Sequence, residues 1–267
     1  MTISVGDIES ANRFYQGELG LRSVNCQLSD PETRCFFINP DQRVDIIKNT
    51  DNANRNLIKA VGWSTSDATA LRMYLIAHKQ KPGDISTDSQ GTLSFQIRDP
   101  ENHVIEFSQR TGGIAGSIKG GPAISNRVIH AGFIVKDRAV MDKFYKDILG
   151  FHLYWQGGMK DGETSWVSMQ GPDGTDWIEY RLNIDPNADQ HLRGVMNHIA
   201  LGVPSVKEAA IQLEKNGVKL TEQPKIGRDG KWQLNLYDPD QTRVELMEFT
   251  PVEKPCCSEF MGTHPKP

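Results

Sequence analysis

Between residues 126 and 250 short apolar runs and amphipathic segments follow one another in an order that is written twice. Val128-Ile129-His130-Ala131-Gly132-Phe133-Ile134-Val135 reads as a strand. Asp137 can cap a helix with Val140, Phe144 and Ile148 on one face, and Leu149-Gly150 ends it. Strands are predicted at 151–157, 163–170 and 175–182, separated by Gly157-Gly158 and Pro172-Asp173-Gly174. The second copy opens with the apolar run Met196-Asn197-His198-Ile199-Ala200-Leu201-Gly202-Val203. It continues with a helix from Val206 to Lys215 stopped at Asn216-Gly217, and places the turn Asp238-Pro239-Asp240 before the last strand.

The same plan reaches into the first half. Phe14-Tyr15 and Leu19-Gly20 match Phe144-Tyr145 and Leu149-Gly150 at an offset of 130 residues, and Asp99-Pro100 through Glu106-Phe107 matches Asp238-Pro239 through Glu245-Leu246. A period of this kind defines the architecture before any single element does. Four modules follow: residues 1–110 form one domain, the Gly-rich segment 111–125 a linker, 126–250 a second domain, and 251–267 a Pro-rich surface tail.

Chemistry enters with a spacing. His130 precedes Glu179 by 49 positions and His198 precedes Glu245 by 47, each His in an opening strand and each Glu in a closing one. Two such units packed about a pseudo-twofold axis bring equivalent inward positions together, and two imidazoles with two carboxylates make a divalent-metal site. The first half does not repeat it. The counterpart of His130 falls just before Met1, so the first strand is expected to be missing; Lys59-Ala60-Val61-Gly62-Trp63, opposite His198, holds no His; Glu106 stands alone. Residues 1–110 are expected to be a degenerate, metal-free copy.

Side chains two apart on a strand share a face. Trp177 and Arg181 are therefore expected beside Glu179, Arg243 and Met247 beside Glu245, and Gly132 and Ile134 beside His130. These give a pocket with an aromatic wall and a guanidinium, suited to a small, partly apolar molecule with an anionic group. Trp155, Trp166 and Trp232 are expected to be ordinary core residues.

Composition excludes more than it identifies. The chain has 267 residues, 37% of them hydrophobic and 24% charged, and a formal net charge of −4 without any basic run, which gives no footing for nucleic acid or an anionic membrane. No apolar stretch is long enough to cross a bilayer and no signal-peptide pattern opens the chain, so a soluble cytoplasmic protein is expected, with export as the alternative if a segment preceding Met1 has been removed. Cys26 and Cys35 flank a turn at Ser29-Asp30-Pro31-Glu32 where a disulfide is geometrically possible; two free thiols are the favoured reading. Cys256-Cys257 falls in the surface tail.

The βαβββ plan, the Phe-Tyr-x-x-x-Leu-Gly phrase, the Asp-Pro-Asp turn before a strand carrying Glu, and the His/Glu positions together resemble the vicinal oxygen chelate superfamily, which spans glyoxalases, extradiol dioxygenases and bleomycin-resistance proteins. The resemblance covers most of residues 1 to 250 and implies an α+β fold in which four βαβββ modules form two open mixed β-barrels. It implies one divalent metal ion (Zn, Ni, Mn or Fe(II)) held by His130, Glu179, His198 and Glu245, with Glu179 and Glu245 as proton-moving carboxylates and Trp177, Arg181, Arg243 and Met247 around a small-molecule substrate. A monomer or homodimer is expected. Three activities fit. A metal-dependent glyoxalase-like isomerase, epimerase or lyase is the expected one. An extradiol ring-cleaving dioxygenase would use Fe(II) on His130, His198 and Glu245, but Glu179 crowds that site and Asn235 and Asn183 stand where an active-site tyrosine and histidine would. A non-catalytic small-molecule binder is the third.

Overall fold

A computed structural model describes residues 1–24, 32–50, 56–110 and 123–267. The strands are β1 (Thr2–Val5), β2 (Arg22–Val24), β3 (Arg34–Phe37), β4 (Arg43–Lys48), β5 (Ile58–Ser64), β6 (Ser86–Thr87), β7 (Leu93–Arg98) and β8 (Val104–Gln109) in the first half. In the second half they are β9 (Arg127–Ile134), β10 (His152–Gly157), β11 (Trp166–Gln170), β12 (Trp177–Arg181), β13 (His198–Val203), β14 (Lys225–Ile226), β15 (Trp232–Tyr237) and β16 (Arg243–Glu248). Among the described residues they form two eight-stranded mixed sheets of the same order, β2-β3-β4-β1-β5-β8-β7-β6 and β10-β11-β12-β9-β13-β16-β15-β14. In each, the two modules meet at an antiparallel pair of opening strands, β1 with β5 and β9 with β13. These are the two open barrels of the expected fold.

Three expectations change. The first module does have an opening strand: β1 is short, but it pairs parallel to β4 as β9 pairs to β12. The helix α3 (Arg138–Asp142) starts at the Asp137 cap, whose side chain accepts from the amides of Ala139 and Val140, yet it buries Met141, Phe144 and Tyr145 and leaves Val140 exposed. Its continuation Lys143–Ile148 is a wide turn, with the amide of Leu149 donating to Phe144 O; it buries Tyr145 beside the expected Phe144 and leaves Ile148 partly buried. The wide turn recurs after α1 (Ile8–Asn12), and Gly20 and Gly150 close both segments at positive φ (68° and 77°).

The tail is the third change. Residues 251–267 are held along the second barrel rather than free: the amide of Met261 donates to Tyr154 O, the amide of Gln156 donates to Ser258 Oγ, Gln170 Nε2 donates to Thr263 O, and Cys256 and Cys257 are joined to each other by a disulfide. Proline prevents regular structure there but not attachment. Cys26 lies outside the described residues, as does most of the segment read as a linker; its end is anchored, with Ser125 Oγ donating to Gly202 O. Trp155 is core, as expected. Trp232 is only partly buried and lies under the Lys207 ammonium, and Trp166 lies under the Arg181 guanidinium 4.9 Å from its ring. No helix among the described residues is long and apolar enough to cross a membrane.

The cores cross between the halves. One apolar cluster joins Ile3, Phe14 and Ile46 of the first module to Leu201, Leu213 and Leu246 of the fourth, and another joins Phe95 and Phe107 of the second to Phe133, Phe144 and Tyr180 of the third. The repeated motifs lock these pairings. Tyr15 Oη donates to Asp238 Oδ2 at 3.1 Å and Tyr145 Oη to Asp99 Oδ2 at 3.0 Å, both buried, so the Phe-Tyr phrase of one module fastens the Asp-Pro turn of its partner. Removing either hydroxyl leaves a buried carboxylate short of a donor and should cost about 1–3 kcal/mol.

Burial pushes the Asp238 carboxyl up to about 6, with Asp240 adding to the rise and the Thr242 amide and Tyr15 opposing it. A carboxyl that binds its proton more tightly folded than unfolded loses stability as pH rises from about 4 to about 6. Asp238→Asn should therefore gain on the wild type across that interval. Thermal unfolding at pH 4, 5, 6 and 7 measures it, and a gap that stays constant with pH would contradict the assignment.

Candidate metal centre

The four strands β12, β9, β13 and β16 lie side by side and set two rows of side chains across the sheet. Registers place Trp177, His130, Ala200 and Glu245 in one row, and Glu179, Gly132, His198 and Arg243 in the next. The twofold relation maps His130 on His198, Glu179 on Glu245, Trp177 on Arg243 and Arg181 on Met247. His130 Nε2 and His198 Nε2 face each other at 3.0 Å. Glu179 Oε2 is 3.5 Å from His198 Nε2, and Glu245 Oε2 is 3.6 Å from His198 Nε2 and 3.8 Å from His130 Nε2.

The donor set suits a divalent cation. Both imidazoles are fully desolvated, and burial, with Arg243 next in effect, holds each well below the usual histidine range. They are neutral at pH 7, so no proton competes for their lone pairs. His198 Nδ1 lies 2.9 Å from Met196 O, which fixes the N–H on Nδ1 and leaves Nε2 free as a ligand. That carbonyl ends α4 (Gln190–Met196), a helix the sequence pattern did not announce. The His130 ring stacks on Trp177 at 4.7 Å, and its buried Nδ1 has no hydrogen-bond partner among the described residues. Two Nε2 atoms turned on one another beside two carboxylates are poorly satisfied as a bare protein cluster and well satisfied around a cation. His130, Glu179 and His198 form a group able to hold a metal ion, with Glu245 against both imidazoles.

Burial raises Glu245 to about 7, Glu179 and Asp229 adding to the rise and Arg243 opposing it. Each carboxylate has an arginine two residues away on its own strand: Arg181 Nη1 donates to Glu179 Oε2 at 3.1 Å, and Arg243 Nη2 lies 3.6 Å from Glu245 Oε2. Burial, opposed by Glu179 and reinforced by Arg243, lowers Arg181 to about 10.

All eight residues singled out from the sequence line this barrel: the two His, the two Glu, Trp177, Arg181 and Arg243 meet around the cluster, and Met247 packs farther along, in the apolar end with Trp177 and Phe249. Residues that the pattern did not single out surround them. Lys231 is wholly buried; its Nζ donates to Tyr154 Oη at 2.9 Å and lies over the rings of Tyr154, Trp177 and Phe260. Burial brings it down to about 8 against the attraction of Asp229 and Glu245. His264 of the tail meets Tyr154 Oη at 2.6 Å. No periodicity marks a lysine in a hairpin or a histidine near the end of the chain. Among the described residues the first half holds no comparable group; the other one is Asp161 with the disulfide-bonded Cys256 and Cys257 at the surface.

Gly132 is the least conspicuous requirement. A Cβ at this position would overlap the imidazole of His198, although the backbone there suits any residue. Gly132→Ala should displace that ring and weaken metal binding by about tenfold or more while the fold persists. Competition with a chromogenic chelator, beside a circular dichroism spectrum, tests this; wild-type affinity in the variant would contradict it.

The model of the Glyoxalase/Bleomycin resistance protein/Dioxygenase superfamily matches residues 127–246. No curated protein matches the sequence significantly. Among solved structures, the 2,3-dioxygenase LapB of Pseudomonas sp. KL28 superposes with a TM-score of 0.72 at 18% identity, covering 100% of this chain and 92% of its own. A Mn(II)-bound glyoxalase of Novosphingobium aromaticivorans gives 0.71 at 17%, covering 97% and 82%. The 2,2',3-trihydroxybiphenyl 1,2-dioxygenase of Sphingomonas wittichii gives 0.71 at 15%, covering 99% and 96%. At these identities the likeness is one of fold. Residues 127–246 thus match the model of the Glyoxalase/Bleomycin resistance protein/Dioxygenase superfamily, and both halves of the chain carry the fold shared by these structures.

Proposed function

We propose that the protein is a metal-dependent enzyme of the glyoxalase-like kind, an isomerase, epimerase or lyase acting on a small molecule with adjacent oxygens. The observation that carries this reading is the second carboxylate: Glu179 Oε2 reaches within 3.5 Å of His198 Nε2, in addition to Glu245. His130, His198, Glu179 and Glu245 would hold a divalent ion of the Zn, Ni, Mn or Fe(II) type, and such an ion polarises a substrate oxygen as a Lewis acid. The chain supplies the rest. Arg181 orients Glu179, which can take a proton at Oε2 from a carbon beside the polarised oxygen and return it. Trp177 walls the site behind His130 and, with the barrel, excludes water. The first barrel, which lacks imidazoles at the matching positions, is read as a degenerate copy without a metal.

An extradiol dioxygenase is the second reading, favoured by one observation: Arg181 holds Glu179 by a hydrogen bond, so a set of His130, His198 and Glu245 is available without it. Against it, Asn235 is turned to Glu222 and Asn183 to Thr164 O, and neither is an acid or base.

His198→Ala should weaken metal binding at least about tenfold more than Glu179→Gln, since a carboxylate that doubles as a mobile base is the ligand best spared. Chelator competition tests this; unchanged affinity in His198→Ala would contradict the site. Turnover of hydroxy-ketones or hydroxy-acids should proceed without oxygen and carry solvent deuterium into product, with Glu179→Gln lowering turnover more than binding. Oxygen uptake with catechols by the Fe(II)-loaded protein, unaffected by Glu179→Gln, would establish the second reading instead.

A further inference from the structure

The barrel is polarised end to end. On the side of Trp177 and Met247 it is apolar and closed by the tail, with Cys256 and Phe260 packed on Tyr154, Trp155 and Phe249. On the opposite side, because β12 and β16 run in opposite directions across the sheet, Arg181 and Arg243 come to the same end. Two guanidiniums at one end of a buried site repel each other, and neither is fully satisfied. Arg243 is 9% exposed, donates no side-chain hydrogen bond among the described residues, and its Nε and Nη2 are buried without a partner. Among the described residues Arg181 Nε is likewise unpartnered, and Arg181 Nη2 has only the thioether of Met196, at 3.2 Å. Buried arginine nitrogens in this condition mark the place of an acceptor that the chain itself does not supply.

Charge gives the same answer independently. Two carboxylates, two guanidiniums and two neutral imidazoles sum to zero, and the Lys231 and Asp229 charges farther along cancel. A divalent cation adds two positive charges to this interior, and uncompensated buried charge is costly. The ligand that restores neutrality carries two negative charges.

We propose that the molecule taken by this site is a small dianion with adjacent oxygens, such as an ionised 2-hydroxy or 2-oxo dicarboxylate, with its negative charge held between Arg181 and Arg243. This rests on the metal reading above. It restricts the substrate class: neutral hydroxy-ketones satisfy the cation but leave the remaining guanidinium nitrogens without an acceptor, whereas a carboxylate presents the paired oxygens that a guanidinium fork matches.

The probe is oxalate, the smallest dianion with adjacent oxygens, compared with neutral hydroxyacetone by calorimetry on Mn(II)-loaded protein. Oxalate should bind wild type at least about tenfold more tightly than hydroxyacetone, and not measurably without the metal. Arg243→Met and Arg181→Met should each weaken oxalate about tenfold or more, the size of one lost hydrogen bond to a charged group, and weaken hydroxyacetone by clearly less. Arg243→Lys should recover part of the loss. The wild-type comparison stands even if a Met variant does not fold. Equal affinities for the two probes, or oxalate binding unchanged in both Met variants, would overturn the proposal while leaving the metal reading intact; a wild-type protein that takes up no divalent metal would overturn both.

Discussion

The structure turns on the antiparallel pairing of β9 with β13. Its register puts His130 opposite Ala200 and His198 opposite Gly132, so each imidazole projects over a small residue of the neighbouring strand and the two rings meet over the twofold axis. A one-residue slip would send both to the opposite face of the sheet. The carboxylates depend on the same seam, because β12 and β16 add in parallel on either side and bring Glu179 level with Gly132 and Glu245 level with Ala200. One strand pair thus sets four side chains on one face.

What secures that seam lies mostly outside the second barrel. The face of each barrel helix packs against the other half of the chain, with the first module on the fourth and the second on the third. This separates two kinds of repeated residue. The Phe-Tyr and Asp-Pro motifs occur in both halves because every module needs a partner to bury its helix, and Tyr15 to Asp238 and Tyr145 to Asp99 are the fastenings. The His/Glu spacing occurs only in the second half, where it gathers four side chains on one face and fastens no module to its partner. A first half without imidazoles still has structural work to do, since it completes the cores on which β9 and β13 rest.

Legibility followed the same division. Helix caps, the Gly150 stop and the order of strands could be read because they are local and repeated, and the face-sharing of Trp177, Arg181 and Arg243 with the ligands follows from strand alternation alone. The first turn of α3 buries Met141 where the apolar spacing points to Val140, two adjacent apolar positions that a hydrophobic count does not separate. The 130-residue offset hides β1, because it places the counterpart of His130 before Met1, yet Thr2–Val5 pair with β4 in full. Gly132 reads as a neutral position in an apolar run until the ring across the seam is seen to need its missing Cβ. Tail attachment was unreadable for a different reason: the hydrogen bonds from Gln170 and to Tyr154 O use isolated polar groups whose partners lie some 90 to 110 residues away.

That tail changes how the site is entered. With Phe260 and Cys256 filling the apolar end and Lys231 buried beneath Trp177, the low remaining exposure of the site side chains is found at Glu179, Arg181 and Arg243, while both imidazoles are sealed. A molecule approaching from that end passes the guanidiniums before it reaches the imidazoles. Positive groups at a narrow, low-dielectric mouth concentrate field lines there and draw anions inward. They also repel a free cation. The carboxylates paired with those arginines offset this: Glu179 stands beside Arg181 and Glu245 beside Arg243, so an entering divalent ion meets nearly compensated charge. His130, Glu179, His198 and Glu245 would hold such an ion, and it would add positive charge beside the two guanidiniums.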